Sequence, residues 1–150
     1  MIIDTHAHIF EKWSGACGLS SRDLHWKYLH KNLTRPAAKV FRFRDGAPAE
    51  AQLLYEAGTT SWSGLRNDID FRVGPYGKIE FTVDGEDYYV QYMPASMAQI
   101  ESTPEGLITQ MNTAGVNHCI LQAGFTYGYM NDYNALAQSQ FPSRDFSILL

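Results

Sequence analysis

Cysteine is scarce: Cys17 and Cys119 are the only two in 150 residues and form no Cys-x-x-Cys pair. That excludes a disulfide-stapled scaffold and a thiolate zinc finger, and it fits a reduced, cytoplasmic setting. No run approaches the roughly 18 apolar residues of a membrane span, and no basic segment precedes an apolar stretch of signal length, so a soluble, unexported protein is expected. Excess positive charge is also missing. Twelve Lys and Arg face 16 Asp and Glu, a formal net charge of −4, which argues against nucleic acid or an anionic membrane as partner. There is no low-complexity tract, internal repeat or long Gly/Ser linker. With 45% apolar and 13% aromatic residues, the chain reads as one globular domain with its own core.

Several catalytic signatures fail on spacing. Ser61-Trp62-Ser63-Gly64 lacks the flanking glycines of a nucleophile elbow, and Gly124-Phe125-Thr126-Tyr127-Gly128 is not followed by the Gly-Lys-Ser/Thr of a phosphate-binding loop. Cys17 reads as a loop thiol and Cys119 as a core residue, not as nucleophiles.

What is present stands at the start. Ile3-Asp4-Thr5-His6-Ala7-His8-Ile9 reads as an apolar strand in which alternate side chains share a face, so Asp4, His6 and His8 point one way and Thr5 and Ala7 the other. Neutral imidazole is a common ligand for zinc and similar ions, and a catalytic site needs a third ligand and an open position. His6 and His8 are therefore the leading metal ligands, zinc first and manganese second, the plainer reading being two histidines satisfied by neighbours at a strand end; Asp4 reads as a partner behind them or as a polar strand end.

Along the rest of the chain, Ser20 and Asp23 are spaced as a capping box for a helix beginning near Ser21, with Trp26, Leu29 and Leu33 at helical spacing. Val40–Arg44 alternates as a short strand ending at Asp45-Gly46, and Pro48 and Gly58 bracket an expected helix over Ala49–Ala57. From Ile69 the period becomes two, and the turns Gly74–Gly77 and Asp84-Gly85 divide a β-meander at about 69–92. Pro104 to Gly115 then reads as a helix, Val116–Ala123 as a buried strand, Asn131–Gln140 as a helix and Phe146–Leu150 as a strand, the βαβ signature of a parallel sheet.

The opening motif resembles the first strand of the amidohydrolase superfamily, in particular its amidohydrolase-related branch with the aminocarboxymuconate-semialdehyde decarboxylases. Met111–Val116, Cys119–Gln122, Asn134–Phe141 and Pro142–Phe146 resemble that branch's second strand, second helix and entry to the third strand. The resemblance implies a (β/α)8 barrel with one divalent metal at the C-terminal strand ends. It also implies a metal-dependent hydrolase, or a carboxy-lyase using the same apparatus. Of the family's ligands only the first pair carries over, to His6 and His8; the later His and Asp ligands have no counterpart, and His118 lies at the wrong end of its strand. The expected fold is thus α/β, the N-terminal part of such a barrel with about three barrel strands, carrying an insertion at about 11–103 that contains the meander. A whole barrel usually takes about 250 residues, so a longer natural protein is expected, or a homo-oligomer that completes the site. The alternative is a non-catalytic fragment or binding module with an incomplete metal site.

Substrate contacts are harder to place. Seven of the twelve Lys and Arg lie between Arg22 and Arg44; Arg42 and Arg44 would share a strand face, which can clamp a carboxylate or simply be solvated. Tyr127, Tyr129 and Asn131 follow the second barrel strand, where barrel enzymes place substrate contacts; plain loop packing is the other reading. A small-molecule substrate, a carboxylate among the candidates, is the expected partner.

Overall fold

The computed structural model describes residues 1–33, 38–59, 61–142 and 145–149. In chain order its main elements are β1 (Ile3–Ala7), α1 (Arg22–Leu33), β2 (Val40–Arg42), β3 (Pro48–Ala49), β4 (Arg72–Val73), β5 (Lys78–Val83), β6 (Glu86–Gln91), α2 (Pro104–Ala114), β7 (His118–Gln122), α3 (Asn131–Gln140) and β8 (Asp145–Leu149). They form a mixed α/β chain of two compact units, one made of Met1–Arg22 with Glu101–Leu150, the other of Asp23–Ile100. Among the described residues no helix is long and apolar enough to cross a membrane.

In the first unit the strands are parallel, in the order β1-β7-β8. Parallel neighbours need a crossover, and α2 and α3 supply the helical parts between β1, β7 and β8. The signals that set α2 are local. The Thr103 side chain accepts from the Gly106 N–H at 3.1 Å, Pro104 occupies the first turn, and Gly115 closes the helix in the left-handed region at φ 70°. Along β7, Cys119 and Leu121 are buried while His118, Ile120 and Gln122 are half-buried. Cys119 and Leu121 join Ala7, Ile9, Met111 and Ala137 in one core, flanked by Leu107, Ile108, Tyr133 and Phe141. Each fully buried aliphatic side chain there contributes about 1.5–3 kcal/mol.

The second unit holds an antiparallel sheet in the order β3-β2-β6-β5-β4. The meander is therefore part of a wider sheet, because β2 pairs with β6 through Val40–Val90, Phe41–Tyr89 and Arg42–Tyr88. Ile79, Phe81 and Val83 alternate into its core. The Asp84-Gly85 turn that joins β5 to β6 has φ of 51° and 79°, the doubly positive geometry of the tight hairpin turn that this dipeptide favours.

Three local expectations change. The helix over Ala49–Ala57 is replaced by β3 and a single 3-10 turn at Ala51–Leu54, whose preceding residue Glu50 makes no side-chain cap. The strand at Val40 ends at Arg42, because the turn takes over: the Gly46 N–H donates to the Arg42 carbonyl at 2.9 Å. The strand expected from Ile69 starts only at Arg72, since Asp70 adopts φ 43° and interrupts the extended run. Of the family-like stretch Pro142–Phe146, Ser143 and Arg144 lie outside the described residues, as do Leu150 of the strand expected at Phe146–Leu150 and Arg35 of the basic segment.

Candidate metal centre

Because β1, β7 and β8 are parallel, their C-terminal ends share one edge of the sheet. His6 is the penultimate residue of β1 and His8 follows the strand directly. His118 pairs with Ile3 at the opposite edge. Strict alternation does not carry through β1, however. Asp4 pairs with Cys119 and Ala7 with Leu121, so β1 advances three residues while β7 advances two, and a β-bulge takes up the difference.

The two imidazoles nonetheless meet. His6 Nε2 and His8 Nε2 are 2.9 Å apart, with ring centroids at 4.8 Å and planes at 79°. His8 Nδ1 lies 2.7 Å from the main-chain oxygen of Gln122 at the end of β7. A carbonyl only accepts, so this bond puts the His8 proton on Nδ1 and leaves its Nε2 lone pair to accept from His6 Nε2–H, a hydrogen bond that an ion held by both nitrogens would replace. Two nitrogens this close can both reach one ion at about 2.0–2.1 Å. The donor set thus suits a borderline divalent ion, and the bond behind His8 is of the kind that orients metal-bound histidines.

The surroundings hold His8 more firmly than His6. The Tyr127 ring lies with its centroid 4.5 Å from that of His8 and stacks on Phe10 at 4.8 Å. Ser102 Oγ donates to the His8 carbonyl at 3.0 Å, and Phe10 and Ser102 exchange main-chain bonds at 2.9 and 3.0 Å. His8 is half-buried and His6 exposed. Asp4 is placed against the main chain: its Oδ1 accepts from the His6 N–H at 3.0 Å.

The remaining candidates divide. Tyr127 ends the 3-10 turn Phe125–Tyr127 and forms a wall of the His8 site. Asn131, the first residue of α3, lines a cleft of about 250 Å³ with Ala123, Gly124, Phe125, Tyr129 and Met130, which opens directly after Gln122. Arg42 and Arg44 belong to the other unit and do not share a strand face, since β2 ends at Arg42. Arg42 grips Asp45 with Nε at 3.1 Å and Nη2 at 2.7 Å, and this bond, with the Ala47 N–H, holds the Asp45 carboxyl down at about 2. Arg44 lies 3.2 Å from Glu86. Both guanidiniums thus have carboxylate partners within their own unit.

Both cysteines are buried free thiols. Burial, with Glu11 nearby, pushes the Cys17 thiol up to about 12, and burial with Asp4 pushes Cys119 up to about 11, so thiolate is scarce at neutral pH. Cys17 is also 1% exposed, more enclosed than a loop thiol was expected to be.

Gln122 is the contributor that sequence reading missed. Its only signal was a polar residue closing an apolar strand. Among the described residues no group of three or more His, Cys, Asp or Glu side chains is placed to hold an ion, so His6 and His8 stand as a pair. No protein-family model matches the chain, and comparison with curated proteins and with solved structures finds no match either.

Proposed function

We propose that the first unit is part of a metal-dependent hydrolase of the amidohydrolase-related type, with His6 and His8 holding a divalent ion, zinc first and manganese second. The observation that carries this reading is the imidazole pair, 2.9 Å apart and with His8 tethered through Nδ1, at the C-terminal edge of a parallel sheet. On this reading β1, β7 and β8 are the first three strands of a (β/α)8 barrel, whose chemistry gathers at that edge. A cytoplasmic setting, with both thiols reduced, accords with it.

The bound ion would supply Lewis-acid polarisation of a substrate oxygen or of an attacking water. The protein's own part is positional. The Gln122 carbonyl keeps the His8 proton on Nδ1, Tyr127 and Phe10 limit ring rotation and exclude water from one side, and the cleft beside Phe125, Tyr129 and Asn131 receives the organic part of a small substrate. Decarboxylation uses the same apparatus when a substrate carboxylate occupies the place of the water, so a carboxy-lyase is the alternative within this class.

A non-catalytic binding module is the second reading, favoured by the two-ligand donor set among the described residues. Elemental analysis of the purified chain tests the first. One zinc or manganese per chain, lost in both His6→Ala and His8→Ala, is the expected result. Metal-free wild-type protein that takes up neither ion on titration would overturn it. Carbon dioxide release against water-dependent cleavage, measured on a panel of small carboxylates and amides, separates the two activities.

A further inference from the structure

We propose that Gln122 is the positioning residue of the histidine pair and that it acts on both imidazoles at once. The proposal rests on the reading of His6 and His8 as metal ligands and adds how their geometry is set.

A bulge takes main-chain groups out of the ladder, and those groups must find other partners. The peptide that joins Thr5 to His6 lies in the stretch between Asp4 and Ala7 where the register of β1 shifts. Its carbonyl end, the Thr5 oxygen, accepts from Gln122 Nε2 at 3.0 Å. Its amide end, the His6 N–H, donates to Asp4 Oδ1 at 3.0 Å. One peptide plane is thus held at both ends by side chains, and that plane fixes the direction in which the His6 side chain leaves the backbone. Gln122 also offers its main-chain oxygen to His8 Nδ1 at 2.7 Å. A single residue at the end of β7 therefore sets the His8 tautomer through its carbonyl and the His6 exit vector through its amide.

The carbonyl survives any substitution, but the side-chain amide does not, so the two actions separate experimentally. Gln122→Leu removes the donor and leaves an apolar side chain one atom shorter, while Gln122→Glu puts a carboxylate against the Thr5 oxygen. Cobalt(II) titration of the full chain, followed by visible absorption, is expected to give about ten-fold weaker binding in both variants, with an altered spectrum. The thermal melt should stay within a few degrees of wild type, because the contact is exposed. Unchanged cobalt affinity and an unchanged spectrum in Gln122→Leu would overturn the proposal.

A readout in the metal-free protein separates this outcome from failure of the metal reading. The His6 amide should exchange its hydrogen at least several-fold faster in Gln122→Leu than in wild type, and the His8 ring should keep its Nδ1–H tautomer in nitrogen-correlated spectra. If wild type takes up no cobalt, the metal reading falls and the amide alone decides the clamp: unchanged exchange would remove it. Should Gln122→Leu fail to fold, Gln122→Asn retains the amide one methylene short of Thr5 and is read in the same way.

Discussion

His6 and His8 differ in what their loss should do to the folded state. The His6 ring is exposed and touches chiefly its partner imidazole, so His6→Ala should leave stability within about 0.5 kcal/mol of wild type. His8 packs on Tyr127 and bonds the Gln122 carbonyl, so His8→Ala should cost about 1 kcal/mol, or roughly 2–4 °C in thermal melts of a chain this size. Equal melting temperatures for the two variants would contradict the asymmetric tethering. His30 carries a pH prediction. It is 5% exposed, lies with Nε2 2.6 Å from the Leu54 oxygen and stacks on Phe71 at 4.6 Å. Burial holds its pKa below the ordinary 6.5 despite the bond to Leu54. The folded state therefore prefers the neutral ring. The stabilisation is fully present above about pH 6.5 and is lost as pH falls from there through the lowered folded value. Denaturant melts at pH 7.5 and 5 should show this loss, and His30→Gln should reduce it; the same pH dependence in that variant would exclude His30 as its source.

Among the elements, β7 carries most. Leu121 is fully buried, pairs in register with Ala7 and Ile148, and leads directly into Gln122. Leu121→Ala should destabilise by about 2–5 kcal/mol. A loss under 1 kcal/mol in denaturant melts would mean that the parallel sheet is not the core of its unit. Much of this level was legible in the sequence because the signals are local. Thr103, Pro104 and Gly115 mark both ends of α2, the residues of α3 run from Asn131 to Gln140 as the pattern predicts, and Asp84-Gly85 marks the hairpin. The β1 bulge was not legible, since it depends on register against a strand more than a hundred residues away. The helix expected after Pro48 failed for a similar reason: pairing of Pro48 and Ala49 with β2 is a tertiary choice that outweighs a bracketing Pro and Gly. The histidine pair could be read from spacing alone, whereas Gln122 could not, because the chemistry it performs belongs to a neighbouring strand.

At the scale of the whole chain, two compact units bear on how the protein can be divided. Asp23–Ile100 is contiguous and has an antiparallel sheet with its own buried Val40, Ile79, Phe81 and Val90. Expressed alone, it should fold with a single cooperative melt and take up no zinc, the candidate ligands lying elsewhere; a fragment without a melting transition would show that its core is completed by the remaining sequence. Arg42 and Arg44 of the basic segment were read as substrate contacts or as a solvated strand face. In the structure both bind carboxylates of their own unit, as does Arg72 outside that segment, which reaches Asp70, Glu80 and Asp87. Spacing along a chain gives the charge of a face but not the partners that the fold brings to it.

In the first unit, Gly18 and Gly128 have φ of 69° and 96°, and a Cβ on either would strike main chain of the other loop, the Tyr129 oxygen in one case and the Cys17 oxygen in the other. The Tyr129 N–H also donates to the Cys17 oxygen at 2.8 Å. A side chain cannot be tolerated at one of these positions without the loops parting, so the two glycines should be kept or lost together through descent. Joined to His6, His8 and Gln122, they make a five-position fingerprint by which distant kin of this chain can be told from chance matches to His-x-His.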